Sequence, residues 1–345
     1  MNAAAAQPAR LLVVIVNYRT PELTIDCLCS LEPEVRARGS TSVVVVDNGS
    51  GDGSAESIAG AIASGGWGSW ASLMALDHNG GFSYGNNAAI RPALAAAEDE
   101  SPEYVLLLNS DTRVYEGALA ALVEFMDERP GVGIAGSRLE NADGSDQNSR
   151  FRFHSVWSEL DSGLRVGLVT RLLREHVVTH DRTEGPQPAD WVAGASMIVR
   201  TRVFRDIGLL DEDYFLYYEE VDFCLNARRA GWSCWYVPNS SVVHLVGQST
   251  GVTTMDEPAR RRPRYWFESR RRYFAKNHGR AYALCADIAW ASGFALWRVR
   301  RVLQGKPDLD PPHMLWDFVR HTMRAACKGL QPNTSAFAGR DRQGT

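Results

Sequence analysis

LLVVIVNYRTPE, residues 11–22, decides the fold. Six aliphatic residues, most of them β-branched or leucine, run without a polar break, as in a strand buried on both faces. The run ends at Asn17, and Thr20-Pro21-Glu22 then supplies an N-cap, a proline at the first helical position and an acid in the first turn. A two-sided strand feeding a helix opens a βαβ unit, and the pattern repeats downstream. SVVVVDNGS (42–50), SLMALD (72–77), YVLLLNSD (104–111) and VGIAGSRL (132–139) predict four more strands, with an Ala-rich helix through about residue 97. This alternation predicts an α/β protein with a mostly parallel central sheet and helices on both faces.

Beyond residue 139 the pattern weakens. From Glu140 to Pro188, Gly, Ser and Asp interrupt short apolar stretches, which predicts irregular structure in an acceptor-facing insertion or lid. DWVAGASMIVR (190–200) reads as a strand, YYEEVDFCLNARRAGW (217–232) as a helix and SCWYVPNSSVVHL (233–245) as a further strand region. The expected organisation is a disordered lead-in (1–10), a catalytic domain (11–254, with halves 11–139 and 140–254) and a basic, mainly helical C-terminal region (255–345).

That last region carries 18 Lys and Arg against 8 Asp and Glu, whereas the remainder carries 19 against 33. The overall net charge of −4 gives no reason to expect nucleic acid as a partner. A basic end on an acidic body suits an anionic surface, or simply makes a solvated helix face. Within it, AYALCADIAWASGFALW (281–297) falls short of the ~20 apolar residues a spanning helix needs and is broken by Asp287. A buried helix is expected. A helix lying in the membrane interface is the alternative, since Trp290, Trp297, Arg298, Arg300 and Arg301 suit that position. The six cysteines form no C-x-x-C pair, which fits reduced thiols in a cytoplasmic enzyme. Peripheral attachment to the cytoplasmic face of the inner membrane, and a homodimer through the C-terminal segment, both stay open.

Ligands of open α/β sheets bind beyond the carboxyl ends of the strands. Asn17, Asp47-Asn48, Asn79 and Asn109-Ser110-Asp111 stand at four of those ends. Any one of them is explained by turn chemistry; four together point to one crevice. No G-x-G-x-x-G follows the first strand, and Gly80-Gly81-Phe82-Ser83-Tyr84-Gly85 has Asn86 where a phosphate-loop lysine is required. That loop still opens a helix whose backbone N–H groups are expected to face a diphosphate. Asp111 is a candidate ligand for a hard cation, since Mg²⁺ is typically held by one or two carboxylates plus substrate phosphates. His244, in HLVGQST (244–250), is a second candidate, better suited to Mn²⁺. Glu219, Glu220 and Asp222 form an acidic cluster in an aromatic setting. They provide either a general base of raised pKa or plain helix N-terminal charge. Trp191 is a candidate to stack on an acceptor sugar, or a core residue.

Taken in order, VVIVNYRTPELTIDCLCSL, VVVVDNGSGDGS, NGGFSYGNNAAI, LLLNSDT, WVAGASMIVRTRVFRDIGLLDEDYFLYYEEVDFCLNARRAGW and HLVGQST resemble glycosyltransferase family 2, in its rhamnosyltransferase-like branch. The resemblance covers about residues 10–280. It implies a GT-A fold, with a nucleotide-binding half over 11–139 and an acceptor-binding half over 140–254. The implied activity is inverting, metal-dependent transfer of a sugar from a nucleotide diphosphate to an acceptor hydroxyl. By position, Asn17, Asp47 and Asn79 would contact base and ribose, and Gly81 and Asn87 would line the nucleotide loop. Asn109-Ser110-Asp111 occupies the Asp-x-Asp motif with Asn109 replacing its first acid. Asp111 would then be the principal ligand of Mg²⁺ or Mn²⁺, with His244 as helper. Glu219-Glu220 falls on the Glu-Asp motif, which makes Glu220 the expected base and Glu219 the alternative. Trp191 and Asp222 are expected on the acceptor side. The branch implies dTDP-L-rhamnose as donor, with UDP-galactofuranose, UDP-glucose and GDP-mannose as alternatives. The acceptor would be a glycan, lipid-linked or small-molecule hydroxyl. A glycoside hydrolase with two carboxylates and a non-catalytic nucleotide-sugar-binding subunit are the rival classes.

Overall fold

The computed structural model describes residues 10–97, 100–180, 183–245 and 260–328. The first half builds β1 (Leu11–Asn17), α1 (Pro21–Arg38), β2 (Thr41–Asp47), α2 (Ser54–Ser64), β3 (Ala71–Ala75), α3 (Phe82–Ala95) and β4 (Tyr104–Asn109). The short β5 (Thr112–Val114), α4 (Ala118–Glu128) and β6 (Val132–Glu140) complete it. Pro21 does begin α1, but Thr20 makes no side-chain cap; its hydroxyl turns back to Asn17 Oδ1 at 3.2 Å. A strand-end partner competes with the helix N–H groups for that hydroxyl and wins.

The second half holds β7 (Arg150–Phe151), α5 (Val156–Leu164), α6 (Gly167–Leu172), β8 (Gln187–Ala189), β9 (Trp191–Val192) and β10 (Ser196–Arg200). It continues with α7 (Thr201–Ile207), α8 (Glu219–Arg229) and β11 (Ser233–His244). Three helices follow: α9 (Arg264–His278), α10 (Arg280–Leu303) and α11 (Met314–Lys328). The stretch expected to be irregular therefore contains helix as well, and α5 starts on a reciprocal Ser155–Ser158 capping box. Of the HLVGQST string, Val246–Thr250 lie outside the described residues.

The sheet runs β3-β2-β1-β4-β10-β6-β11-β5, with β8 paired to β11. It is parallel from β3 through β4 and mixed beyond, because β10 lies antiparallel to both β4 and β6. Strand β1 sits where the order reverses, with β2 on one side and β4 on the other, so the crevice expected at such a switch opens at its carboxyl end. Register places Asn17 beside Asp47 and Val16 beside Asn109. Three polar strand ends thus stand in one row.

Strand alternation divides the core. Leu11, Val13 and Ile15 pack with Leu28, Ile58 and Leu122 beneath α1, α2 and α4. Leu12 and Val14 pack with Ile90, Phe204 and Phe223 on the opposite face, where Tyr273 and Phe274 of α9 join them. Each such side chain contributes about 1.5–3 kcal/mol on burial, so α9 is held as firmly as the helices of the body. Helices α5 and α10 touch through Gly163 and Gly293. A Cβ at Gly163 would come within 2.7 Å of the Trp290 carbonyl oxygen. Arg270, 2% exposed, closes this corner by donating to Glu159 Oε2 at 2.7 Å and Asp287 Oδ1 at 2.5 Å. The expectation of a buried C-terminal helix holds for Trp290 and Phe294, which pack at 4.7 Å between ring centres. Among the described residues no helix is long and apolar enough to cross a membrane.

Candidate active site

At the head of β1 the amide of Asn17 is fully occupied. It donates to Asp47 Oδ1 at 2.7 Å and accepts from the Thr24 hydroxyl at 2.9 Å. Asp47 also takes the Ser50 hydroxyl at 2.5 Å and the Ser50 N–H at 3.1 Å. The pair latches β1 to the loop after β2. Beside it, Asn48 donates to Asn79 Oδ1 and to the Gly81 carbonyl, both at 3.0 Å. Gly81 has φ +91°, and a Cβ there would sit 2.2 Å from the Phe215 carbonyl oxygen; only glycine fits. The backbone N–H groups that lead into α3 are taken up within the protein. Those of Gly80, Gly81 and Phe82 bond to Asn48, Asn79 and Phe215 respectively. They shape the loop and dock it on the segment leading to α8.

The sequence places Asn109, Ser110, Asp111 and His244 far apart, and the fold brings them together. Antiparallel pairing of β11 with β5 sets His244 opposite Thr112, and the Leu245 N–H donates to the Asp111 carbonyl at 2.8 Å. Ser110 and Asp111 are both buried. His244 Nε2 lies 3.5 Å from Asp111 Oδ1 and 3.3 Å from Asn109 Nδ2. The other ring nitrogen, Nδ1, meets Gln147 Oε1 at 3.0 Å. Gln147 Nε2 is surrounded by the His244 carbonyl at 2.6 Å, Asn141 Oδ1 at 2.8 Å and the Glu140 carbonyl at 3.3 Å. Three acceptors fix the orientation of that amide, so its oxygen faces the ring and Nδ1 carries the proton. Nε2 is then an acceptor, with the Asn109 amide N–H at 3.3 Å and an Asp111 carboxylate oxygen at 3.5 Å, so a nitrogen and an oxygen ligand stand side by side where a cation could enter. Among the described residues no group of three or more His, Cys, Asp or Glu forms a complete cage. One carboxylate and one imidazole fit a divalent ion that takes its remaining ligands from phosphate and water. Gln147 is the residue that pattern reading missed. It lies in the stretch without periodicity, and nothing local signals its role.

The second acidic site is the start of α8. Tyr217 and Tyr218 are both left-handed, at φ +71° and +69°, a conformation costing roughly 1–3 kcal/mol for each bulky residue. It is held by packing: the Tyr218 ring lies 5.0 Å from His154 and 5.5 Å from Tyr273. The helix then begins on Glu219 and Glu220. Both Oε2 atoms are out of contact with water and have no hydrogen-bond partner, although Glu220 as a whole is only half-buried. Burial raises the Glu220 carboxyl to about 7, against the opposing pull of the helix N–H groups. Glu219 is pushed well above the carboxylate range by burial and by Glu220 beside it. A hypothetical Cβ at Gly194 would lie 3.8 Å from Glu220 Cβ and 3.6 Å from the Phe82 ring. One residue on, the Ala195 carbonyl accepts the Asn109 N–H at 3.0 Å. The Gly194–Ala195 dipeptide therefore spans from Glu220 to the strand end that carries Asn109, Ser110 and Asp111.

Three expected site residues are engaged elsewhere. Asn87 spends its amide on the Leu210 carbonyl and Glu212, both at 2.8 Å, tying α3 to the turn after α7. Asp222, expected on the acceptor side, instead takes Lys276 at 2.7 Å on Oδ2 and Asn277 at 2.6 Å on Oδ1, together with the Tyr214 hydroxyl. It fastens α8 to α9. Trp191 donates to the Arg152 carbonyl and stacks on Phe151 at 4.1 Å, so one ring face is covered. A cavity of about 1110 Å³ lies away from the glutamates, among the Arg-rich faces of α9, α10 and α11.

Comparison with known proteins bears on the fold and the family. The N-acetylglucosaminyl-diphospho-decaprenol L-rhamnosyltransferase of Mycobacterium tuberculosis (strain H37Rv) is 28% identical over 326 residues, 92% of this chain and 96% of that protein. The rhamnosyltransferase WbbL of Escherichia coli K12 is 24% identical over 48% of this chain and 61% of its own length. Among solved structures, a mannosyltransferase from Pyrobaculum calidifontis in complex with GDP-Man and Mn²⁺ superposes with a TM-score of 0.55. It is 15% identical, over 94% of this chain and 87% of that one. GalNAc-T7 with UDP, GalNAc and Mn²⁺ gives a TM-score of 0.56 at 14% identity; the match takes in 92% of this chain but 55% of that one. These likenesses establish the GT-A fold. The profile of glycosyltransferase-like family 2 matches residues 8–279, and the chain belongs to that family of sugar-transferring enzymes.

Proposed function

We propose that this glycosyltransferase moves L-rhamnose, with inversion, from dTDP-L-rhamnose to a hydroxyl of a lipid-linked glycan at the cytoplasmic face of the membrane. The observation that carries it is the Glu220 carboxyl, with Oε2 unpartnered and the group raised to about 7, joined through Gly194 and Ala195 to the end of β4. The choice of donor and acceptor rests on the mycobacterial L-rhamnosyltransferase, similar over nearly the whole of both chains. UDP-galactofuranose, UDP-glucose and GDP-mannose are the competing donors.

Glu220 takes the proton of the acceptor hydroxyl as it attacks the anomeric carbon, a general-base contribution of ~10²–10⁴ in rate. Glu219 and Glu220 titrate together, both raised by burial, and their mutual repulsion favours a single negative charge on the pair. Asp111 and His244 would hold a Mg²⁺ or Mn²⁺ ion, which when bound supplies charge compensation to the departing diphosphate. Asp47 and Asn79 frame the loops where base and ribose would lie.

The test is a thermal-shift screen of nucleotide sugars with Mn²⁺, followed by radiolabelled transfer to a polyprenyl-diphosphate acceptor. A ligand at ~100 times its Kd raises stability by about 2.7 kcal/mol. dTDP-L-rhamnose is expected to give the largest shift; a larger one with another sugar reassigns the donor. Absence of binding by every nucleoside diphosphate removes the transferase site from this crevice.

A further inference from the structure

Helix α10 has two apolar sides, of which the fold uses one. Ala286, Trp290, Gly293 and Phe294 are buried against α5 and α11. Leu284, Ile288, Leu296, Val299, Val302 and Leu303 are between 47% and 82% exposed. At 3.6 residues per turn these six, with Ala281, Cys285 and Ser292, fall within one arc of about 120°. No charged residue of Ala281–Leu303 falls in that arc. Arg280 and Arg298 stand along one border and Arg300 along the other. Arg300 also donates to the Arg165 carbonyl, and α6 starts two residues later with Leu168 and Leu172 at 69% and 76% exposed. With these two leucines, eight large apolar side chains stand exposed on α6 and α10, more than an ordinary solvated face presents.

We infer that this arc is the face by which the enzyme lies on an anionic lipid bilayer, with α10 parallel to the surface. The inference deepens the proposed function, since it names the surface that meets the membrane where a lipid-linked acceptor resides. Charge decides the occupant. The borders of the arc carry Arg280, Arg298 and Arg300, of which Arg298 is shared with Asp308 at 2.6 Å, and residues 255–345 as a whole carry 18 Lys and Arg against 8 Asp and Glu. Lipid phosphates complement that pattern. A second copy docked on the same arc would set cationic border against cationic border. Residues 329–345 contain one leucine and one phenylalanine, too few to cover nine positions.

The experiment is co-flotation of the full chain with vesicles of phosphatidylcholine alone or of equimolar phosphatidylcholine and phosphatidylglycerol, without donor or acceptor. The wild type is expected to float with the mixed vesicles, to stay behind with the neutral ones, and to release with added salt. Ile288→Asp and Val299→Asp, at positions 59% and 60% exposed, are each expected to lower vesicle affinity about tenfold or more. Unchanged melting curves and nucleotide binding would establish that both variants fold. Equal binding of variants and wild type, or no preference for anionic vesicles, overturns the inference. So does a dimer, seen by sedimentation, that Ile288→Asp splits while the wild type ignores vesicles. Flotation needs no turnover, so it succeeds or fails independently of the donor assignment.

Discussion

Replacing Glu220 by glutamine removes a charge that the fold holds against its solvation. The Glu220 carboxyl moves from an ordinary 4.5 to about 7 on folding. A carboxyl raised on folding binds its proton more tightly in the native state, so stability falls as pH climbs from the unfolded value through the folded one. Each pKa unit corresponds to 1.36 kcal/mol, which sets about 3 kcal/mol as the upper bound on what the ionised group costs above pH 7. The true figure is smaller, because Glu220 is half-buried and titrates together with Glu219. For a chain of 345 residues that bound corresponds to a rise in melting temperature on the order of 4 °C. Melting curves of wild type and Glu220→Gln from pH 4.5 to 8.5 measure it directly. The two should lie closest at the acid end, where the native side chains are neutral, and diverge between about pH 4.5 and 7, with the variant more stable and the gap constant above that range. Transfer by the variant should drop by ~10²–10⁴ while nucleotide binding persists. Parallel melting profiles across the range would refute the raised carboxyl, and near-native turnover would move the base to another group.

Other outcomes follow from the same geometry. Gln147→Ala frees the His244 ring, and Mn²⁺-dependent binding of dTDP, followed by calorimetry, should weaken about 10–100-fold with metal-independent binding unchanged. An unaltered metal dependence would show that the ring is held by other contacts. Gly81→Ala forces a Cβ to 2.2 Å from the Phe215 carbonyl oxygen at φ +91°, and should cost on the order of 2–4 kcal/mol in chemical denaturation. A loss under 1 kcal/mol would mean that the docking of this loop on the α8 approach is loose.

Much of the fold is legible in the residues because burial on two faces leaves a distinctive mark. Strands β1, β2 and β4 are runs of aliphatics, and each ends one residue past the point where its apolar run stops. Direction carries no such mark. SMIVR in β10 would look the same parallel or antiparallel, and only the sheet order reveals the reversal. β5 is three residues long, too short for a period to show. The meeting of Asp111 and His244 follows the motif series, whereas the partners that fix those groups do not. Gln147 reaches His244 across 97 positions, and Asn87 is drawn to Leu210 across 123. Asp222 shows the same limit from the other side. Its place among the glutamates suggested chemistry, and Lys276 with Asn277, more than fifty residues on, turn it into a tie between helices.

The corner where Arg270 meets Glu159 and Asp287 has a consequence for how far the Glu220 carboxylate stands from any surface on which α10 rests. Three residues along α9 from that guanidinium, Tyr273 braces Tyr218, the residue immediately before Glu219. Helix α10 and the start of α8 are thus gripped by one rod, and the standoff between them is set by its side chains. An acceptor tethered in the bilayer would have to offer its hydroxyl at that one elevation, so the distance from lipid to sugar becomes a ruler for choosing substrates.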